Sequence, residues 1–194
     1  MVQQHEERMH GLIAQVRADG FITEGHFAFR SGMHSMNLLD RDRLLSDTHL
    51  SSRMGYAISR HFFLNRIEVI ASPSVWGAGL AQWIGFYLEP RRPVVYATPG
   101  ERDYTFSDAA AEALAGKRVL VVDNLILTGR TTQDFVRLIA RHDGTPIGLG
   151  SLADFSGIEF PIPTFGLLNS SLDIHRQEEC PGCRAGSPLT ELGY

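Results

Sequence analysis

The sequence contains few cysteines, one lysine and no long apolar run. Two cysteines among 194 residues are too few for a secreted disulfide scaffold. No apolar stretch approaches the roughly 20 residues that a membrane-spanning helix needs, and the polar start MVQQHEERMH does not resemble a signal peptide. The formal net charge of −4 is unlike the basic excess of nucleic-acid-binding surfaces. These absences predict a cytoplasmic protein that binds neither membranes nor nucleic acid.

The basic residues are almost entirely arginine. Of the 18 lysines and arginines, only Lys117 is a lysine, so any chemistry that needs a lysine side chain has one candidate. The 43 % hydrophobic and 21 % charged content is ordinary for a globular protein. A chain of this length suits one domain whose core needs no disulfide or metal.

The first part of the chain shows helical spacing at two places. In residues 4–18, apolar side chains recur at the spacing of an amphipathic helix, and Gly20 follows as a left-handed cap. We expect short strands and turns from residue 21 to 43. Asp47 is a candidate N-cap for a second helix that runs to about Leu64. The residues expected to face the core from this helix are Met54, Ile58 and Phe62, with Tyr56 as a further candidate.

From residue 67 onward, short apolar runs alternate with helical patterns. Strands are predicted at residues 67–71, 93–97, 118–122, 147–152 and 164–168, and helices at residues 77–88 and 131–142. Residues 98–116 are polar and are predicted to be a long connecting segment that contains a mobile loop. This alternation predicts an α/β fold with a central, mostly parallel sheet flanked by helices.

The most informative segment is the predicted strand at 118–122 together with the residues after it. Asp123 and Asn124 come at the carboxyl end of the strand, where α/β proteins bind ligands. A segment suited to an anion cradle then opens the next helix, because it supplies backbone N–H groups, hydroxyls and a helix N-terminus. Its residues are Thr128, Gly129, Arg130, Thr131 and Thr132. An acid close to such a cradle indicates a sugar-phosphate site, although an ordinary strand–helix turn has similar residues.

The segment from Val119 to Thr132 resembles the phosphoribosyl pyrophosphate signature of type I phosphoribosyltransferases. That resemblance implies the type I fold, with magnesium as cofactor and phosphoribosyl pyrophosphate as a substrate. It implies that Asp123 and Asn124 meet the ribose hydroxyls, with Asp123 contacting magnesium through the substrate. Residues 128–132 would hold the 5-phosphate.

Three flanking segments are similar to the orotate phosphoribosyltransferases. Residues 25–35 resemble the N-terminal hood of that family, and residues 179–188 resemble the tail of its thermophile-type branch. Residues 71–79 align with a loop that holds pyrophosphate, which would be contacted by Ser72, Ser74, Val75, Trp76 and Gly77. The resemblance implies one phosphoribosyltransferase-like domain over residues 1–194, with a hood at 20–43 and a tail at 170–194. It also implies a homodimer.

The chain departs from the family pattern where chemistry takes place. Asn124 replaces the second acid of the signature, and the mobile loop offers only Arg102 to cover the leaving pyrophosphate. Phe155 stands where the family has an arginine that contacts the carboxylate of orotate, and a phenyl ring cannot replace that bidentate contact. Leu38 replaces an aromatic residue of the hood. Arg30 and Ser31 remain, so the predicted base-binding residues are Arg30, Ser31 and Phe155.

Three functions remain open at this point. The first is transfer of ribose 5-phosphate to a pyrimidine-like or other nitrogen base, with Asp123, Asn124 and Arg102 as catalytic residues. The second is a regulatory module that binds phosphoribosyl pyrophosphate or a nucleotide without turnover, which Asn124 and the lysine-free loop favour. The third is phosphoribosyl transfer to an acceptor other than orotate in specialised metabolism.

Two weaker signals involve cysteine and tryptophan. Cys180 and Cys183 have the spacing of half a zinc site with His175 nearby, or they are two reduced cysteines in a tight turn. His26 and His34 flank the Arg30 corner and have either a ligand-binding or a surface role. Trp76 and Trp83 lie seven residues apart on a predicted helix, and we interpret them as core or dimer-interface residues.

Overall fold

The computed structural model describes residues 11–100, 103–169 and 172–193. The chain divides into two compact units, of which the smaller comprises residues 1–44 and 168–194 and the larger comprises residues 45–167. Within the described part of the chain, no helix has the length and apolar character needed to cross a membrane.

The larger unit is built on a five-stranded sheet of β3 (Val69–Ser72), β4 (Val94–Tyr96), β7 (Arg118–Ile126), β8 (Thr145–Asp154) and β9 (Thr164–Gly166). Every neighbouring pair is parallel, in the order β4-β3-β7-β8-β9. The central strand β7 is buried along nearly its whole length. The predicted parallel α/β sheet is therefore confirmed.

Helices cover both faces of this sheet because alternate strand residues point to opposite sides. On one face, Val69, Val119 and Val121 share a core with α5 (Asp108–Leu114) and α6 (Arg130–Arg141). On the other face lie α3 (Thr48–His61) and α4 (Val75–Tyr87), which pack against each other. Gly148 and Gly150 let Phe62 and Ile58 approach β8 closely, since an added Cβ at either glycine would lie within 3 Å of those side chains.

Several element boundaries differ from the predicted ones. Strand β7 continues four residues past Val122, so Asp123 and Asn124 are part of the strand. The polar connecting segment at residues 98–116 contains helix α5 and a small hairpin of β5 (Thr98–Pro99) and β6 (Tyr104–Thr105). Helix α3 ends three residues before Leu64. The core assignments of Met54, Ile58 and Phe62 are confirmed, but Tyr56 is 49 % exposed and its assignment was wrong.

The smaller unit joins the beginning of the chain to its end in one sheet. Residues 11–18 are helical (α1), in agreement with the prediction, whose earlier residues 4–10 lie outside the described range. Strands β1 (Ile22–Ala28) and β2 (Met33–Leu39) form an antiparallel hairpin. Strand β10 (Ile174–Arg176) pairs with β2, and β11 (Leu189–Glu191) pairs in parallel with β1. Both edges of the hairpin are thus covered by the C-terminal tail.

Two short helices complete the described elements. Helix α2 (Arg41–Ser46) follows β2 directly, so residues 41–43 are helical and not part of the predicted strands and turns. Helix α7 (Pro181–Ala185) follows a single 3-10 turn at Gln177–Glu179 and precedes β11.

Helix α3 supplies a test of how local capping stabilises the larger unit. The Asp47 carboxylate accepts a hydrogen bond of 2.9 Å from the Leu50 N–H, which has no acceptor within the helix. We expect Asp47→Ala to lower the free energy of unfolding by about 1 kcal/mol. Asp47→Asn keeps a capping oxygen and serves as the matched control. Equal losses for the two variants in urea unfolding would contradict this assignment.

Candidate phosphate and ribose site

Asp123 and Asn124 lie near the carboxyl end of the central strand and are almost completely buried. Asp123 is 6 % exposed, and its carboxylate accepts a 2.8 Å hydrogen bond from the Asn124 N–H and a 3.0 Å bond from the Thr132 hydroxyl. The second bond links the end of β7 to the first turn of α6. A buried carboxylate is costly unless it is hydrogen-bonded, and these donors hold it in a defined orientation.

The Asn124 side chain has a fixed orientation with one buried donor. Its Oδ1 accepts a 2.6 Å hydrogen bond from the Leu125 N–H, which distinguishes the oxygen from the nitrogen of the amide. The Nδ2 group is buried and has no hydrogen-bond partner among the described residues. A buried donor of this kind costs free energy unless a ligand or water accepts from it.

The predicted phosphate cradle lies in the turn between β7 and α6. Gly129 is the N-cap of α6 and has φ of 72°, the left-handed conformation that glycine adopts without strain. The side chains of Thr128, Arg130 and Thr131 are exposed, whereas Thr132 is buried and donates its hydroxyl hydrogen to Asp123. The first N–H groups of α6 have no acceptor within the helix and lie at its positive end, so the turn is suited to an anion.

Gly129 is also required by the packing of the loop after β8. A Cβ at position 129 would lie 2.9 Å from Cδ1 of Ile158 and 3.3 Å from Cζ of Phe160. This loop is held in place by the Phe155 N–H, which donates to the Ile126 carbonyl at 2.8 Å. Asp154 accepts from both the backbone N–H and the hydroxyl of Ser156, at 2.9 and 2.7 Å.

The predicted pyrophosphate segment, residues 72–77, joins β3 to α4 beside the central strand. The Ser72 hydroxyl donates to the Ser74 carbonyl at 2.9 Å, and Ser74 occupies the N-cap of α4. Gly77 packs closely against this bend, since an added Cβ would lie 2.3 Å from Ser72 Oγ and 3.2 Å from the Val122 carbonyl oxygen. Val75 and Trp76 are exposed, Trp76 by 52 %, so Trp76 is not a core residue.

Lys117, the only lysine, lies at the opposite end of the central strand from Asp123. It precedes β7, and six residues of strand at ~3.3 Å each separate it from Asp123 by about 20 Å. Its Nζ lies 3.7 Å from Oε1 of Glu68. The backbone N–H of Arg118, followed by the charges of Lys117 and Arg118, lowers the pKa of Glu68 below its ordinary value. Lys117 therefore does not reach Asp123 of its own chain.

The remaining predicted site residues lie in separate parts of the structure. Arg102, predicted as catalytic, lies outside the described residues. Arg30 and Ser31 are exposed in the turn of the β1–β2 hairpin, where the Ser31 hydroxyl accepts a 3.4 Å bond from the Met33 N–H. Phe155 belongs to the larger unit and is half-buried. Leu38 is half-buried in β2.

The cysteines have neighbours that the sequence did not indicate. Cys180 and Cys183 lie close to His26 and His34, whereas the His175 ring, the predicted third ligand, lies 3.1 Å from the Asp173 carboxylate. Burial raises the pKa of the Cys183 thiol, and the neighbouring Cys180 raises it further. About 150 residues of chain separate the two histidines from the two cysteines, so no local spacing pattern could have linked them.

Comparisons with known proteins find relatives that match most of the chain. No protein-family model matches the chain. It is 30 % identical to the orotate phosphoribosyltransferase of Caldanaerobacter subterraneus subsp. tengcongensis over 176 residues, covering 89 % of this chain and 90 % of that protein. It is 29 % identical to the enzyme of the same name from Thermus thermophilus, covering 91 % of this chain and 96 % of that protein. The crystal structure of orotate phosphoribosyltransferase from Aeropyrum pernix is similar with a TM-score of 0.63 and 19 % identity, covering 80 % of this chain and 92 % of that one.

The parallel sheet with its strand–turn–helix at Asp123 to Thr132 has the type I phosphoribosyltransferase fold. The relative at 30 % identity shows that the chain is a phosphoribosyltransferase, an enzyme of the glycosyltransferase class. Within that class, the chain belongs to the orotate phosphoribosyltransferase family, and its close relatives include thermophile enzymes. The predicted family and fold are thereby confirmed.

The turn at Gly129 gives a prediction with an internal control. Gly157 also has positive φ, of 65°, but an added Cβ there has no neighbour within 4 Å. Gly157→Ala should therefore cost only the backbone strain, about 1–2 kcal/mol of unfolding free energy. Gly129→Ala should cost a further ~1–3 kcal/mol through crowding against Ile158. If urea unfolding gives equal losses for the two variants, the close packing over Gly129 is refuted.

Proposed function

We propose that the chain transfers ribose 5-phosphate from phosphoribosyl pyrophosphate to a nitrogen base, releasing pyrophosphate, and that its preferred base is not orotate. The observation that carries the first part is the bond between the Thr132 hydroxyl and the Asp123 carboxylate. It sets a hydroxyl-binding carboxylate beside the anion-binding turn at Gly129, as a ribose 5-phosphate requires.

In this proposal the 5-phosphate binds at the start of α6. Backbone N–H groups of residues 128–132 and the exposed hydroxyls of Thr128 and Thr131 donate to its oxygens. Asp123 accepts from a ribose hydroxyl, and the buried Asn124 Nδ2 donates to a ribose oxygen. The bend at residues 72–77 contributes donors for pyrophosphate at the neighbouring strand. Arg102 is the one basic side chain that the sequence offers for closing over the leaving group.

Magnesium fits the donor set at Asp123 only in part. Magnesium prefers oxygen ligands and is commonly held by one or two carboxylates together with substrate phosphates. Asp123 supplies a buried carboxylate, but Asn124 supplies an amide where the resembled signature has a second acid. The ion, when bound with the substrate, supplies positive charge that stabilises pyrophosphate as it departs. The protein supplies orientation and a water-poor environment around Asp123.

The choice of base follows from the residue at position 155. Orotate carries a carboxylate, and a bidentate arginine contact is the strong way to bind it. Phe155 offers an apolar ring at the position where the resembled family has that arginine. We therefore infer a preference for a neutral base or another nitrogen acceptor.

The first test replaces the carboxylate that orients the ribose. Asp123→Asn should lower the kcat of pyrophosphate release by at least about 100-fold, because it removes charge at the reacting sugar. Asp134→Asn is the matched control, as this carboxylate lies on the outer part of α6 and pairs with Arg137. The assay uses a panel of purine, pyrimidine and other nitrogen bases. Unchanged turnover in Asp123→Asn would refute the assignment.

A second candidate is a regulatory module that binds phosphoribosyl pyrophosphate without turnover. Asn124 and the distance of Lys117 from Asp123 favour it, since both remove charge from the site. Calorimetry with phosphoribosyl pyrophosphate beside the base panel separates the two functions. Binding without pyrophosphate release for any base would support the module and exclude the transferase.

Base preference is tested by introducing, at position 155, the arginine that the resembled family has there. Phe155→Arg should raise kcat/KM for orotate by about 10- to 100-fold, because a charge-assisted hydrogen bond contributes about 1.5–3 kcal/mol. Phe155→Met, which stays apolar, is the control, and kcat/KM for an uncharged base should not rise in either variant. Efficient use of orotate by the wild-type chain would contradict the proposed preference.

We extend the proposal to a homodimer in the cytoplasm, as the family resemblance implies. Its support is an exposed aromatic surface on α3 and α4. Tyr56 and Phe86 are each 49 % exposed, and the centroid of each ring lies 5.3 Å from the centroid of the Tyr87 ring. Trp83, which is half-buried, stacks beside Tyr87. Exposed aromatic groups of this kind are enriched in protein interfaces.

A further inference from the structure

Four side chains of the smaller unit bring two nitrogen and two sulfur atoms together. The ligand atoms of His26, His34, Cys180 and Cys183 all lie within 4.8 Å of one another. Nε2 of His26 lies 3.2 Å from Nδ1 of His34 and 3.4 Å from Sγ of Cys180. Sγ of Cys183 lies 3.6 Å from Nε2 of His26 and 3.3 Å from Nδ1 of His34.

These separations match the edges of a tetrahedral metal site. With Zn–N bonds of about 2.05 Å and Zn–S bonds of about 2.3 Å, a tetrahedron has N···N edges near ~3.3 Å and N···S edges near ~3.6 Å. The one N···N distance and three of the four N···S distances agree with those values within about 0.3 Å, and the other two separations are no more than 4.8 Å. Two histidines and two cysteines are also one of the ligand sets of closed, structural zinc sites.

The local structure explains how His26 reaches the group. The pairing of β1 with β2 shifts register between Glu24 and Phe27, so His26 lies in a bulge, where a strand turns a side chain away from its regular direction. Gly182 completes the fit. A Cβ at that position would lie 2.6–2.8 Å from the His26 ring, so the residue directly before Cys183 must lack a side chain.

The His26 ring also has a partner that selects its metal-binding form. Nδ1 lies 3.1 Å from the Ser187 carbonyl oxygen, which only accepts hydrogen bonds. The Nδ1 atom therefore carries the hydrogen, and the Nε2 atom presents its lone pair to the other three ligands. A hydrogen bond of this kind to the second ring nitrogen is the common arrangement around metal-bound histidine. His26 is 5 % exposed and His34 is 4 % exposed, and Cys180 is fully buried.

We propose that His26, His34, Cys180 and Cys183 bind one zinc ion. Sulfur and imidazole ligands in a tetrahedron select zinc over magnesium or calcium, which take oxygen ligands in larger numbers. Four protein ligands leave no open position, so the ion has a structural role and takes no part in phosphoribosyl transfer. The proposal is independent of the proposed function, because none of its residues belongs to the β7–α6 site.

The ion would fasten the C-terminal tail to the N-terminal hairpin. The histidines come from β1 and β2. Cys180 is the N-cap of α7 and Cys183 lies within this helix, which leads to β11. The smaller unit has about seventy residues and few fully buried apolar side chains. Units of this size commonly rely on a metal or a disulfide, because their cores alone supply little stability. Closing a loop of about 150 residues restricts the unfolded chain strongly.

Metal content tests the proposal directly. The full-length chain is loaded with zinc chloride under reducing conditions and freed of excess metal by gel filtration. Its zinc content is then measured by inductively coupled plasma mass spectrometry. We expect about one zinc per chain in the wild type and background levels in His26→Asn, His34→Asn and Cys183→Ser. His175→Asn is the matched control and should retain its zinc, since His175 pairs with Asp173. Zinc-free wild type, or loss of zinc only in His175→Asn, would overturn the proposal.

Two measurements on the wild-type chain keep the test valid if a variant does not fold. Replacing zinc with cobalt should give the intense visible absorption of a tetrahedral ion and a thiolate charge-transfer band. Zinc should protect both cysteines from iodoacetamide, and a chelator should expose them. An octahedral cobalt spectrum, equal labelling with and without zinc, or a disulfide between the cysteines in the zinc-treated protein would each refute the site.

The structural role has its own readout. Removal of zinc should speed amide hydrogen exchange in β11 and at the bulge of β1 by about tenfold or more, because the tail loses its fastening. Exchange in β7, which lies in the core of the larger unit, should not change. Equal exchange in β11 with and without zinc would show that the ion does not hold the tail.

Discussion

The reversal of the chain at Gly129 is the constraint on which the candidate site depends. Strand β7 is buried on both faces, and α6 must return along the sheet immediately after it. The left-handed conformation of Gly129 allows this in three residues and brings Thr132 within 3.0 Å of Asp123. The same turn leaves the first N–H groups of α6 without acceptors in the helix. One backbone conformation thus produces both a helix end suited to an anion and the orientation of the carboxylate.

Buried polar groups near this turn are costly, and their hydrogen bonds show which of them the protein itself satisfies. The Asp123 carboxylate is held by donors from its own chain, as is the half-buried Asp154 carboxylate at the end of β8. Asn124 differs, because its Nδ2 group has no partner among the described residues. A group of this kind at the carboxyl end of a parallel sheet is expected where a ligand completes the structure. A ligand that accepts a hydrogen bond from Asn124 Nδ2 would therefore also stabilise the fold.

The two units reach stability by different means. The larger unit has a contiguous apolar core on the face of its sheet that α5 and α6 cover, and fully buried apolar side chains from α3 and α4 on the other face. The smaller unit has a four-stranded sheet whose outer strands both come from the tail, and a buried group of histidine and cysteine side chains. Its edge pairs bring together residues more than 130 positions apart. An ordered tail is needed before either edge of the hairpin is covered.

The sequence by itself determined the sheet of the larger unit, its alternating helices and the phosphoribosyl signature, because each depends on residues close together in the chain. These are all local patterns: the spacing at which apolar residues recur, the Asp47 cap, and the order of Asp123, Gly129 and Thr132. Only the tertiary structure decided that β7 continues through Asn124, since that extension depends on pairing with β8. It likewise decided that Lys117 lies beside Glu68 and that His26 and His34 meet Cys180 and Cys183. Such contacts join distant parts of the chain, and their positions follow from how the strands pack together and from no pattern within any one segment.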